Sequence, residues 1–190
     1  MRKTKEVKVK KTILLGVTGS IAAYKACELT RLFVKSGEFE VNVLMTHSAS
    51  EFVTQLTFQT LSRNPVAINM FDEPDEWTPE HISLADKAEI FIAAPCTANV
   101  IAKFSHGLAD DILTSTALAC RCPLLIAPAM NTGMLDNPAT QDNMTTLKSR
   151  GAFFVEPGTG DLACGTEGRG RMAEPAEIYK TALKILRAEA

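Results

Sequence analysis

Five short aliphatic runs, Thr12–Val17, Glu40–Thr46, Glu89–Pro95, Pro123–Ala127 and Ala152–Glu156, recur along the chain with helix-length amphipathic stretches between them. Most are near-continuous apolar runs rather than strict alternations, the pattern of strands covered on both faces. Between the first two, Ser20–Ser36 places Ala22, Ala26, Leu29 and Phe33 on one helical face, and Gly37 follows as a stop. Further helices are predicted over Ala49–Leu61, Ala98–Lys103, Ala109–Cys120 and Pro138–Ser149, with a last one from Glu174-Pro175. Strands alternating with helices pair in parallel through right-handed crossovers. The expected fold is therefore α/β, a three-layer, doubly wound parallel sheet.

At 190 residues the chain suits one domain over 12–190, preceded by a basic tail at 1–11. Asn64–Pro79 reads as a surface segment or lid. The net charge of −2 gives no reason to expect nucleic acid or an anionic membrane as partner, and no apolar run is long enough to span a bilayer. The start, MRKTKEVKVKKTILLGV, resembles a secretory signal only superficially, because Gly16, Gly19 and Lys25 interrupt its apolar part. Five cysteines (27, 96, 120, 122 and 164) form no disulfide framework, and the three histidines stand at no zinc-ligand spacing from them. The expectation is a cytoplasmic protein with reduced thiols and no structural metal.

Ligands of open parallel sheets bind beyond the carboxyl ends of the strands. Here those ends read Gly16-Val17-Thr18-Gly19-Ser20, Met45-Thr46-His47-Ser48-Ala49, Ala94-Pro95-Cys96-Thr97-Ala98-Asn99 and Ala127-Pro128-Ala129-Met130-Asn131. Each alone reads equally as a capped strand-to-helix turn. Four together suggest a flat, phosphorylated ligand held by backbone N–H groups at helix starts. No acidic residue follows Glu40–Thr46, where a dinucleotide ribose needs one, so a mononucleotide fits better and FMN is the natural candidate. Two groups could move protons. His81 opens His81-Ile82-Ser83-Leu84-Ala85, and from position alone a surface or core role is the commoner one. Cys164 lies in GTGDLACGTEGRGRM (158–172), a segment too rich in glycine to give an inert thiol much core to fill.

GVTGSIAAYK (16–25), HISLA (81–85), PCTANVIAKFSHGLADDIL (95–113), PAMNTGML (128–135) and LACGTEGRGRMAEP (162–175) together resemble the flavin-containing cysteine decarboxylases, in the family's order. The resemblance implies a flavodoxin-like (Rossmann-like) domain, FMN as cofactor, and a homo-oligomer built of trimers with the flavin at subunit interfaces. It implies decarboxylation of 4′-phospho-N-pantothenoylcysteine to 4′-phosphopantetheine in coenzyme A biosynthesis, and a separate or fused ligase that makes the substrate. Oxidation of the thiol carbon to a thioaldehyde provides the electron sink for CO2 loss, and the electrons then return, so there is no net redox change.

By the same resemblance His81 is the base, Asn131 holds the substrate carboxylate, and Cys164 is the proton donor on a flap over about 158–172. FMN would be held by Gly19, Ser20, Ile21, Thr46, Ser48, Thr97, Ala98, Asn99 and Ala129. Lys25, Arg169, Arg171 and Met172 are the further candidates for the substrate, the three cations for its phosphate. Three positions depart from the family's pattern: Cys96, an expected change of packing; Leu135, an expected loosening of the substrate wall; and Asp86, where a phosphate contact cannot be assumed. Other readings on the same fold are a peptidyl-cysteine decarboxylase, a flavin prenyltransferase and a non-catalytic regulatory flavoprotein.

Overall fold

The computed structural model describes residues 10–70, 80–161, 165 and 167–188. In chain order its elements are β1 (Lys11–Val17), α1 (Ala23–Ser36), β2 (Phe39–Met45), α2 (His47–Ser50), α3 (Gln55–Ser62), β3 (Val66–Ala67), α4 (Glu80–Lys87), β4 (Ala88–Cys96), α5 (Ala98–His106), α6 (Ile112–Ala119), β5 (Leu124–Pro128), α7 (Thr132–Leu135), α8 (Pro138–Ser149), β6 (Phe153–Phe154), β7 (Gly158–Asp161), β8 (Glu167–Arg171) and α9 (Pro175–Ala188).

Among the described residues six strands form one parallel sheet in the order β3-β2-β1-β4-β5-β6. Without the two-residue edge strand β3 this is the flavodoxin-like order, in which the direction of winding reverses between β1 and β4. Alternate side chains of each strand face opposite layers. Ile13, Leu15 and Val17 of β1 pack with Val41, Ile90 and Ile92 beneath Ala26, Leu29 and Phe33 of α1 and Ile178, Ala182 and Ile185 of α9. On the other face Leu14, Phe91 and Ala93 pack with Val100 and Ile101 of α5, Ile112 and Leu113 of α6, and Met144 and Leu147 of α8. A strand whose two faces are both buried has no polar side to show, which is why its sequence is continuously apolar.

The helices begin and end where local chemistry dictates. Gly37 closes α1 at φ 76°, and its N–H meets the carbonyl of Val34. Asp111 starts α6 with a capping box, its side chain accepting from the Thr114 N–H at 2.8 Å while the Asp111 N–H donates to the Thr114 hydroxyl. No helix among the described residues is long and apolar enough to cross a membrane.

Several expectations change. The helix expected over Ala49–Leu61 is two, because Thr54 starts α3 anew in an extended conformation after the turn at 51–53. The segment expected to be a surface segment or lid, Asn64–Pro79, contributes β3, and its residues 71–79 lie outside the described ones, as do 1–9 of the basic tail. The glycine-rich stretch is not wholly irregular: β7 and β8 form an antiparallel ladder from Gly158↔Arg171 to Asp161↔Glu167. Leu135, expected to loosen the substrate wall, is fully buried with the α5–α6–α8 core.

Ile92 sits in β4, fully buried beneath α1 and α9. Ile92→Ala should cost about 2–5 kcal/mol of unfolding free energy, read as a lower urea midpoint with an unchanged slope.

Candidate functional site

The site forms where β1, β2, β4 and β5 end, and one threonine ties two of these ends together. Thr18 is fully buried. Its hydroxyl donates to the carbonyl of Pro95 at 2.8 Å and accepts from the Thr97 N–H at 3.1 Å. The loops after β1 and β4, brought together by the reversal of winding, are thus fastened by one side chain. The loop after β2 is drawn in by close packing. Thr46 N–H donates to the Val17 carbonyl at 3.1 Å, and Gly19 lies so close to the Ser48 Cβ that a methyl group at position 19 has no room.

Hydroxyls then cap the helices that leave the strands. Thr46 accepts from the Ala49 N–H at 3.2 Å and Thr97 from the Val100 N–H at 3.4 Å. Ser20 accepts from the Ala22 N–H at 3.3 Å. Neither Gly19 nor Ile21 donates its backbone N–H to an acceptor among the described residues. These donors, with the first turns of α1 and α5 behind them, suit the anionic end of a phosphorylated ligand. Thr97, Ala98 and Asn99 open α5 beside them, and Ala129 is joined to the same loop by its N–H to the Cys96 carbonyl at 3.0 Å. The residues expected to form a cradle, Gly19, Ser20, Ile21, Thr46, Ser48, Thr97, Ala98, Asn99 and Ala129, thus stand at the ends of β1, β2, β4 and β5, and their small side chains and unspent N–H groups suit a flavin.

Asn131 caps α7, its Oδ1 accepting from the Gly133 N–H at 2.8 Å, which fixes which way the amide faces. The second strand of the glycine-rich hairpin is fastened to this same turn. Met130 N–H donates to the Gly170 carbonyl at 3.0 Å and the Thr132 hydroxyl donates to the Arg169 carbonyl at 2.7 Å. Gly170 has φ 137°, and a Cβ there would run into the Met130 carbonyl, so only glycine lets the strand approach this closely. The base of the hairpin that carries Cys164 is thereby set beside Asn131. Cys164 itself lies outside the described residues. His81 is in the first turn of α4, which runs directly into β4. A helix feeding the start of a parallel strand begins at the end of the sheet where strands finish, so His81 belongs to the same side as the cradle. It is half-buried and has no hydrogen-bond or ion-pair partner among the described residues.

The four candidates for the substrate fare differently. Lys25 is only 11% exposed and its Nζ is 2.7 Å from Glu174 Oε1, so its charge is already met within the chain. Arg169 is likewise paired, with Glu156 at 2.9 Å. Met172, expected to meet the substrate, is a core residue packed with Ala173 and α9, 2% exposed. Arg171 is exposed, lies across Gly160 in the hairpin, and pairs with no carboxylate among the described residues. Cys96 is fully buried, and burial pushes its thiol far up, so it fills space as a neutral group.

Thr18, Thr132 and Gly170 are the positioning residues that sequence reasoning passed over. Thr18 stood within the strand-end motif, but its partners are residues 95 and 97, which no local pattern reveals. Thr18→Val keeps shape and removes both side-chain hydrogen bonds, leaving the Thr97 N–H unmatched while the Pro95 carbonyl keeps only the Thr18 N–H at 3.3 Å. It should cost about 1–3 kcal/mol of stability in urea denaturation.

The Flavoprotein family model matches residues 1–187. Over 174 residues the chain is 49% identical to the coenzyme A biosynthesis bifunctional protein CoaBC of Bacillus subtilis, covering 92% of this chain and 43% of that protein. The chain thus spans about two fifths of the length of its bifunctional relatives. It is 48% identical over 166 residues to the probable phosphopantothenoylcysteine decarboxylase of Streptococcus mutans, covering 86% of this chain and 92% of the relative. Among solved structures, a PPC decarboxylase variant complexed with pantothenoylaminoethenethiol superposes with a TM-score of 0.82 at 32% identity, covering 96% of this chain and all of the other. The FMN-binding protein AtHal3 superposes at 0.81 with 34% identity, covering 96% of this chain and 100% of that one. The strand-end cradle and these likenesses agree: the chain belongs to the Flavoprotein family.

Proposed function

We propose that the chain is an FMN-dependent phosphopantothenoylcysteine decarboxylase, converting 4′-phospho-N-pantothenoylcysteine to 4′-phosphopantetheine and CO2. The observation that carries this reading is the clasp of Gly170 and Thr132 that joins the Cys164 hairpin to the Asn131 turn, beside a cradle suited to a flavin phosphate. Bound in that cradle, FMN would supply a reversible two-electron acceptor, taking electrons from the sulfur-bearing carbon before CO2 leaves and returning them afterwards.

The protein's own residues bind, orient and move protons. Gly19 and Ile21 offer backbone donors and Ser20 its hydroxyl to the cofactor phosphate, and Thr97–Asn99 and Ala129 line its path. Asn131 meets the substrate carboxylate with neutral amide donors. A lysine there would hold the negative charge that has to leave, whereas an amide orients it without stabilising the ground state as strongly. His81 takes the proton of the substrate thiol, and Cys164 returns a proton once CO2 has gone. A thiol serves as donor only while protonated, which a hairpin closed over the substrate favours by excluding water. Arg171 is the cation left to receive the substrate phosphate.

The same reading makes the protein a homo-oligomer of trimers in the cytoplasm, working with a fused or separate ligase that supplies its substrate. Ile21 (56% exposed) just before α1, Tyr24 on α1, and Phe52 and Leu56 (69% exposed) on the α2–α3 segment are the large apolar side chains that neighbouring subunits would cover.

Incubating the purified protein with FMN and the substrate should release CO2 and 4′-phosphopantetheine; flavin bound without turnover would overturn the reading. His81→Asn should keep the yellow colour and lower kcat by about 10²–10⁴, the usual worth of a placed base. Cys164→Ser should still release CO2 but accumulate the decarboxylated, oxidised product. Normal 4′-phosphopantetheine formation by that variant would remove Cys164 from the mechanism.

A further inference from the structure

At the opposite end of the sheet, where β5 begins, Cys120 and Cys122 flank Arg121 in the turn leaving α6. Both are free and half-buried. The Cys120 thiol and the Cys122 backbone N–H are the donors that act on the Cys122 sulfur, while the Phe91 N–H is spent on the Pro123 carbonyl at 2.9 Å. Those donors, the Cys120 thiol first, lower the Cys122 pKa against the opposing effect of burial. The Cys120 thiol is raised, chiefly by its bond to Cys122 and then by burial, with the Asp86 carboxylate adding to the effect. The division of labour is that of an attacking and a resolving sulfur.

Two cavities open onto Cys122. One of about 360 Å³ is bordered by Lys11, Glu89 and Arg121, and the other, about 410 Å³, by Arg121 and Arg150. Lys11 is matched by Glu89 at 3.1 Å, while Arg121 and Arg150 have no carboxylate partner among the described residues. The space beside the sulfur is therefore net cationic.

We propose that Cys120 and Cys122 form a second reactive site, which accepts anionic low-molecular-weight disulfides and closes to an internal Cys120–Cys122 disulfide. Cys122 attacks one sulfur of the reagent, whose S–S bond breaks and releases one thiolate. Cys120 then attacks the Cys122 sulfur of the mixed disulfide and a second thiolate leaves. Two protein thiols are oxidised, one disulfide is reduced to two thiols, and the protons of the pair end on the released thiols. The second step is eased by the first: once Cys122 is capped, its thiolate no longer holds the Cys120 proton in place. Two residues span at most about 7 Å of extended chain, and any bend brings the Cα atoms within the separation a disulfide bridges. The site lies apart from the flavin cradle and does not depend on the proposed decarboxylation.

The test is oxidation of the full-length, FMN-loaded protein with glutathione disulfide, quenched in acid and mapped with trypsin. Cleavage after Arg121 separates the two cysteines, so an internal bond shows as a peptide ending at Arg121 linked to one beginning at Cys122. We expect that linked pair, two glutathiones released per chain, and reaction about tenfold faster than at Cys27, whose thiol burial pushes up. Cys120→Ser should stop at glutathione attached to Cys122, and Cys122→Ser should react no faster than Cys27. Cystamine, a dicationic disulfide, should react more slowly than glutathione disulfide. Absence of the linked peptides in the unaltered protein overturns the proposal without recourse to variants. So does undiminished reaction of Cys122→Ser, or cystamine matching the anionic reagent.

Discussion

Burial of β1 and β4 on both faces is the constraint from which the rest of the molecule follows. A parallel pair cannot be joined by a hairpin, so each strand needs a helix to carry the chain back, and each helix needs an apolar layer to rest on. Ile13 and Leu15 supply that layer to α1 and α9, and Leu14 and Phe91 supply it to α5 and α6. Because the chain winds in one direction from β1 to β3 and in the other from β4 to β6, the loops after β1 and β4 separate to opposite layers and leave a crevice between them. The functional rim stands at that crevice.

A crevice alone is not a site. Thr18 converts two diverging loops into a fixed pair, and Gly19 lets the loop after β2 pack against them where a larger residue would hold it off. The clasp of Gly170 and Thr132 does the same for the hairpin. Each is a contact between residues more than twenty-five positions apart in the chain, and each acts on the backbone rather than on a ligand. The groups that would meet cofactor and substrate are thus held by neighbours whose own bonds are internal and satisfied.

Much of the architecture was legible because burial leaves a periodic mark. The five aliphatic runs became strands with bounds shifted by a residue or so, apart from the last, of which only Phe153–Phe154 pairs in the sheet. Pro138–Ser149 is a helix from end to end. What escaped notice left no such mark. β3 is two residues long, too short for a pattern, and pairs only because β2 offers an edge. The β7–β8 ladder is built from glycine-rich sequence of low strand propensity, held by its anchorage to the Asn131 turn. Lys25 read as a cation available to the substrate phosphate because its partner, Glu174, enters from the far end of the chain.

The amino-acid order by itself determined the doubly wound class, the strand ends that make the cradle and the residue types capable of the chemistry, since apolar periodicity, caps and motifs are properties of neighbours. Tertiary structure alone decided which charges were spent on ion pairs, that Leu135 and Met172 serve the core, that Thr18 joins two loops, and that Cys122 opens onto recesses bordered by Arg121 and Arg150. Those outcomes depend on distances between segments remote in sequence, and distance is set only when the layers pack.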